Sequence, residues 1–451
     1  MTERTNPDPL LDAPILPTML RLAAPNIVAM LATTLVAIAE TAYVGLLGTT
    51  ALAGLALVFP LAMLMQMTSA GAMGGGVSSA IARALGAGDM ARAEALARHA
   101  AAIALIAGFG FAGLFYASGS TIVRWLGGRG EVQGAALAYA HTFCLAIPGI
   151  WLANTLASIV RGSGNMRVPS VTLLATALAQ VVLGGSLGLG LGPMPKLGMA
   201  GVALGQVLAF SGAATAFLWY LAAGRGRVRL GLRGVAFNWE MFRDILKVGA
   251  VACASSVQTV SAILLLSGLA ARYGTEALAG YGIGARLEFL VVPIVFAFGV
   301  AAVPMVGMAV GAGDIFRARR AAWTCGALSA GLVGGVGLLL AIAPDLWVRW
   351  FSADPVVLDA ARSYLRTAGP AYAFYGLGLG LYFASQGSGK ILGPVLAQTV
   401  RLVLIVALGP WLVGSGAPMS ALFVLIAVGL VAYGLAVAFA MHRTSWGQHG
   451  P

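Results

Sequence analysis

Gly86-Ala-Gly-Asp89 is followed, 225 residues on, by Gly311-Ala-Gly-Asp314. The same offset relates Arg161-Gly-Ser-Gly-Asn165 to Gln386-Gly-Ser-Gly-Lys390 and Arg124-Trp125 to Arg349-Trp350. Ala51-Leu-Ala-Gly54 returns as Ala277-Leu-Ala-Gly280 at 226. One such match would be unremarkable in a chain with 62 glycines; three at 225 and a fourth within one residue of it mark a duplication.

Each copy carries six long apolar segments. A bilayer-crossing helix needs about 20 predominantly apolar residues. Breaks at charges, Pro and Gly clusters give twelve candidates: 21–46, 52–82, 99–120, 133–160, 168–191, 197–223, 245–270, 277–309, 320–344, 357–386, 391–413 and 418–441. Six is even, so the two copies enter the membrane in the same direction. Their symmetry axis is then expected along the membrane normal, with a substrate site between or within the halves. The expected domains are a cytoplasmic tail (1–20), an N-lobe (21–223), a basic cytoplasmic linker (224–244), a C-lobe (245–441) and a second tail (442–451). The fold class is an all-α polytopic membrane protein of twelve transmembrane helices in two pseudo-symmetric lobes.

Composition agrees. Of 451 residues, 59% are hydrophobic and 9% charged, against about 25% charged in soluble domains. So few charges cannot clothe a water-facing surface of this size. A soluble enzyme, a nucleic-acid-binding module and a disordered scaffold are excluded, although the net charge of +12 taken alone points toward nucleic acid. Topology explains the positive excess. With the N-terminus cytoplasmic, eighteen Lys and Arg fall on the inner side and seven on the outer, with Arg286 and Arg401 inside spans. That asymmetry places both termini inside and makes inner-leaflet lipid the partner of the basic linker.

Catalytic apparatus is not legible. Cys144, Cys253 and Cys325 are scattered through apolar runs, and of the four histidines His141 alone lies within a hydrophobic segment. No metal-binding, phosphate-loop or nucleophile-elbow motif occurs, so an enzyme is not expected, nor is a metal or organic cofactor.

Ionisable groups inside spans are costly and usually functional. Glu40 lies in the first span, roughly 28 Å along the helix from Arg21 at 1.5 Å per residue, in its outer half. Arg286 and Glu288 lie early in the eighth; two residues apart, they point to different sides of a helix. Arg286 is expected to pair with Glu40 across the two halves. Gln180, Gln206 and Gln258 are polar-cavity candidates, although a membrane Gln more often bridges helices than binds a ligand. Met63 and Met67 give the second span an adaptable apolar surface. Tyr43 and Tyr375, the latter on an aromatic tenth span, suit flat cations.

The run from Pro25 through Glu40-Thr-Ala-Tyr-Val-Gly45, Ala51-Leu-Ala-Gly54 and Gly86-Ala-Gly-Asp89 resembles the first two helices of multidrug and toxic compound extrusion (MATE) transporters. The counterpart from Tyr273 to Glu288 and on to Gly311-Ala-Gly-Asp314 is similar to the DinF-like branch. The resemblance covers about residues 15–440. It implies two lobes around a central cleft and rocker-switch export driven by H⁺ or Na⁺, in a bacterial inner membrane. Glu40 stands where the family usually has Asp. Gln180, Gly184 and Gln206 stand where members with an N-lobe polar cluster have Asn, Asp and Thr. Gln258 and Tyr375 fall where the NorM-like branch has carboxylates. Glu40 is thus the expected proton-coupling residue, with H⁺ the coupling ion ahead of Na⁺, and a functional monomer is expected. Organic cations or amphipathic drugs are the expected cargo. Flipping of a lipid-linked or peptide substrate on the same fold is the alternative.

Overall fold

The computed structural model describes residues 8–231 and 237–446. Arg4, Arg233 and His449, counted or noted in the sequence, lie outside the described residues, as do parts of the linker and both tails.

Twelve long helical runs appear among the described residues: α1 Ile15–Leu46, α2 Thr49–Gly86, α3 Met90–Trp125, α4 Gly130–Gly162, α5 Arg167–Leu189, α6 Gly198–Ala222, α7 Trp239–Ala271, α8 Thr275–Gly311, α9 Ile315–Ile342, α10 from Pro355 to Ser388, α11 Leu392–Gly414 and α12 Met419–Arg443, with single-turn helices at Pro9–Asp12 and Asp345–Val348. Eleven are long and apolar enough to cross a membrane. The exception is α10, expected from sequence as one span. It breaks into Pro355–Ala368, a 3-10 turn at Gly369–Ala371, and Tyr372–Ser388. Pro370 lies at this junction and has no N–H to donate to the ladder, while Gly369 before it keeps helical geometry (φ −54°, ψ −48°). Its first part, with Asp359, Arg362 and Arg366, is the polar half. A second irregularity lies in α2, where Met67–Met73 forms a π-helical turn ahead of the glycine run 74–76.

The described chain forms two compact units, residues 24–250 and residues 8–23 with 251–446. The chain passes between them inside α1, next to Pro25, and inside α7. In the first unit α4 packs against α2, α3 and α6, and α5 against α6; in the second α10 packs against α8, α9 and α12, and α11 against α12. The packing order is the same in both.

The repeated motifs have structural explanations. In each Gly-Ala-Gly-Asp the second glycine takes a left-handed conformation (Gly88 φ 79°, Gly313 φ 78°) that ends a helix, as L side chains seldom can. The aspartate then caps the next helix: Asp89 Oδ1 accepts from the Arg92 N–H at 2.8 Å, and Asp314 Oδ1 from the Arg317 N–H at 2.9 Å. Gly54 and Gly280 sit where two helices nearly touch, and a Cβ on either would come within 2.9 Å of Ala136 N or Val357 O. Gly162 and Gly387 repeat this against Ser78 O and Val303 O, at 2.7 and 2.6 Å. Small residues let membrane helices approach closely, so the duplication preserves crossings and caps.

Candidate functional site

Glu40 is 7% exposed. Three neighbouring helices of its own unit send neutral groups to its carboxylate. Tyr139 on α4 donates its hydroxyl to Oε1 at 2.8 Å. Gln206 on α6 donates from Nε2 to both carboxylate oxygens at 3.3 and 3.4 Å, and to the Tyr139 oxygen at 3.0 Å. Gln180 on α5 reaches Oε2 from Nε2 at 3.5 Å. Tyr139, Gln180 and Gln206 are themselves buried. Among the described residues of this unit, no Lys, Arg or His lies within 4 Å of Glu40, and the groups of the unit that reach the carboxylate are uncharged.

Tyr43, one helical turn beyond Glu40 and on the same face, lies against α5. Its hydroxyl is buried without a hydrogen-bond partner. The ring occupies the space beside Gly184 and Gly185: a Cβ on Gly184 would stand 2.9 Å from the hydroxyl oxygen, and one on Gly185 3.5 Å from Cδ1. The position at which sequence comparison expects a second carboxylate is therefore filled by an aromatic ring from α1. The N-lobe centre retains one carboxylate.

Each member of the expected Glu40–Arg286 pair is engaged within its own unit. Arg286 is exposed and its guanidinium lies 5.5 Å from the centre of the Phe351 ring. Glu288 accepts the Tyr364 hydroxyl at 2.9 Å. Gln258 bridges helices: its Nε2 donates to Thr399 at 2.7 Å, while Gln398 donates to Thr259 at 3.2 Å. Tyr375 is buried beneath Arg401, whose guanidinium stands 5.5 Å from its ring centre. Met63 and Met67 are half-buried, and Met65 between them is covered by Trp151, whose Nε1–H meets its sulfur at 3.4 Å. Of the sequence candidates, Gln180 and Gln206 join Glu40, with Tyr43 alongside. Gln258, Arg286, Glu288 and Tyr375 belong to the other unit.

Tyr139 is the residue sequence reasoning missed. A tyrosine within an apolar span looks like an interfacial anchor, and its contact with Glu40 spans 99 residues of chain. A signal was present: Tyr139 and Tyr364 stand at the duplication offset.

A polytopic chain built twice from six helices, with a buried single carboxylate among neutral donors, has the form of a membrane transporter. The MatE family model matches residues 25–184 and 251–411, and the chain belongs to that family. The protein described as "Probable multidrug resistance protein NorM" of Thermotoga maritima is 25% identical over 85% of this chain and 82% of its own length. An "FAD transporter" of Shewanella oneidensis is 24% identical over 95% of both chains. Among solved structures, a MOP superfamily transporter from Pyrococcus furiosus superposes with a TM-score of 0.88 at 23% identity, covering 98% of each chain.

Proposed function

We propose that the protein is a secondary active multidrug exporter in which an inward proton flux through Glu40 drives efflux of organic cations or amphipathic drugs. The observation that carries this reading is a buried carboxylate met by three neutral donors. A buried carboxylate's charge is costly unless it is compensated. Neutral donors soften that cost without cancelling the charge, which leaves the cancellation to a proton or a bound cation. Exchange of one for the other between two conformations couples the fluxes, since each conformation then has its own affinity for proton and cargo. The drug-resistance relative supports the cargo class, and the FAD-transporting relative makes an anionic aromatic cargo the competing reading. The inner membrane of a bacterium, both termini cytoplasmic, is the proposed setting.

The test is export of ethidium from proteoliposomes under an imposed pH gradient. Glu40→Gln is expected to abolish gradient-driven export and to leave ethidium binding weaker and independent of pH. Undiminished export by that variant contradicts the reading, and export of FAD in place of ethidium replaces the cargo class.

A further inference from the structure

The first unit buries a cation that none of its acids answers. Arg161 stands in the last turn of α4, is 3% exposed, and its Nε has no acceptor. Among the described residues no hydrogen bond or ion pair reaches its guanidinium. Acids at this end of the unit are engaged elsewhere: Asp244 with Arg83 and Arg92, and Glu240 with Arg92. A buried charge is costly unless something compensates it. The carbonyl ends of α2 and α4 lie here and lower that cost in part, but they accept none of the guanidinium's protons.

The helix beside it offers a second unused group. Gly162 approaches α2 so closely that a Cβ on it would stand 2.7 Å from Ser78 O, which sets Ser78 and Arg161 at one level of the crossing. Ser78 is 4% exposed and its hydroxyl has no partner. Helical Ser and Thr commonly bond a carbonyl one turn back. Thr68 and Ser158, on these same two helices, do so at 2.8 Å each. Ser78 does not, so its proton is not spent on its own helix. Water would satisfy both donors and leave the charge; an anion does both.

Packing does not demand the charge. At the duplication offset Arg161 corresponds to Gln386 and Ser78 to Val303. Gly387 approaches Val303 O as Gly162 approaches Ser78 O, at 2.6 against 2.7 Å for a Cβ. The second unit therefore builds the same crossing with an amide and an apolar side chain. Guanidinium and hydroxyl occur together in one unit and are replaced together in the other.

We infer that Arg161 and Ser78 bind a small inorganic anion, of chloride size, between the ends of α2 and α4. The covering of Arg161 sets the size: a lipid headgroup or a nucleotide phosphate is too large to reach it, whereas a monatomic anion needs little more room than a water. The anion cancels the guanidinium charge, takes the Ser78 proton and ties α4 to α2. The site is separate from the Glu40 centre, since Arg161 follows Tyr139 on α4 by roughly 33 Å at 1.5 Å per residue.

The full-length protein in dodecyl maltoside tests this, through its unfolding temperature in sodium chloride against sodium gluconate at matched ionic strength and through broadening of the chloride NMR line. Chloride is expected to raise the unfolding temperature of the parent saturably, and the parent to broaden the line. Arg161→Gln, which installs the residue of the second unit, is expected to lose both responses. Ser78→Ala keeps the guanidinium and is expected to weaken chloride binding about tenfold, as loss of a hydrogen bond to a charged group does. Equal chloride responses in the parent and Arg161→Gln, or no response in the parent, overturn the inference. Should Arg161→Gln fail to fold, Ser78→Ala decides, and an unchanged chloride affinity overturns it. Arg161→Met more stable than the parent in chloride and gluconate alike also overturns it, because the guanidinium would then be buried without a counter-ion.

Discussion

Tyr43 and Gly184 show how one position can redefine a site. The Tyr43 hydroxyl is buried and unpartnered, and leaving such a group unsatisfied costs about 1–3 kcal/mol. Tyr43→Phe is therefore expected to keep or raise the unfolding temperature in detergent. Gly184→Ala forces a methyl to 2.9 Å from that oxygen, and overpacking of this kind costs about 1–3 kcal/mol. In the Tyr43→Phe background the nearest ring atom would be 3.7 Å away, with Val202 O still at 3.2 Å. The double variant is expected to lose less stability than Gly184→Ala alone; equal losses would show that the hydroxyl is not what the methyl meets. Gly184 was legible as a missing acid. That a ring three residues past Glu40 fills the gap was not, because the contact joins α1 to α5 and no local pattern announces it.

Among the elements, α7 begins on the first unit through charge. Arg83 at the end of α2 donates to Asp244 at 2.6 Å, and Arg92 on α3 reaches Asp244 and Glu240 at 3.4 and 3.1 Å. The Arg83 and Asp244 side chains are 18% and 25% exposed, so each loses more from the absence of its partner than an open surface pair does. Arg83→Asp is expected to cost about 1–3 kcal/mol, with much of it recovered when Asp244→Arg is added. No recovery in the swapped protein would place the stability elsewhere. The basic residues here were legible as inner-face charges; their acidic partners, more than 140 residues away in sequence, were not.

A second tie secures the polar first half of α10. Asp345 accepts from Arg362 Nε at 2.7 Å and from Arg349 at 3.2 Å, and the Arg362 guanidinium holds its carboxyl below the ordinary aspartate value of 3.8. A lowered carboxyl contributes stability above its unfolded value that is lost as pH falls through the folded one. The unfolding temperature is expected to drop between pH 5 and pH 3 less steeply in Asp345→Asn than in the parent. Parallel curves would assign the acid sensitivity to other carboxylates. The break after this segment was present in the sequence as Gly369-Pro370, inside a stretch otherwise apolar enough to read as one span.

For the whole molecule, duplication was the most legible feature, because four motifs recur at 225–226 residues and three of them keep a helix end or a tight crossing in place. The carboxylate, too, stood out as an acid in an apolar run. Its surroundings were harder. Gln180 and Gln206 were identifiable as polar residues on apolar helices, but nothing local distinguishes them from Gln258, which the structure uses to join α7 to α11. Arg286 was drawn to Glu40 by opposite charge; in the fold each is engaged by aromatic or neutral groups of its own unit.

The central claim is that Glu40 couples export to a proton gradient. Proteoliposomes carrying the parent protein or Glu40→Gln, loaded with ethidium and given either a pH gradient or a sodium gradient, test it most directly. Export by the parent protein under the pH gradient alone, lost in Glu40→Gln, is the expected result. Export driven by sodium alone, or proton-driven export that survives the substitution, would contradict it.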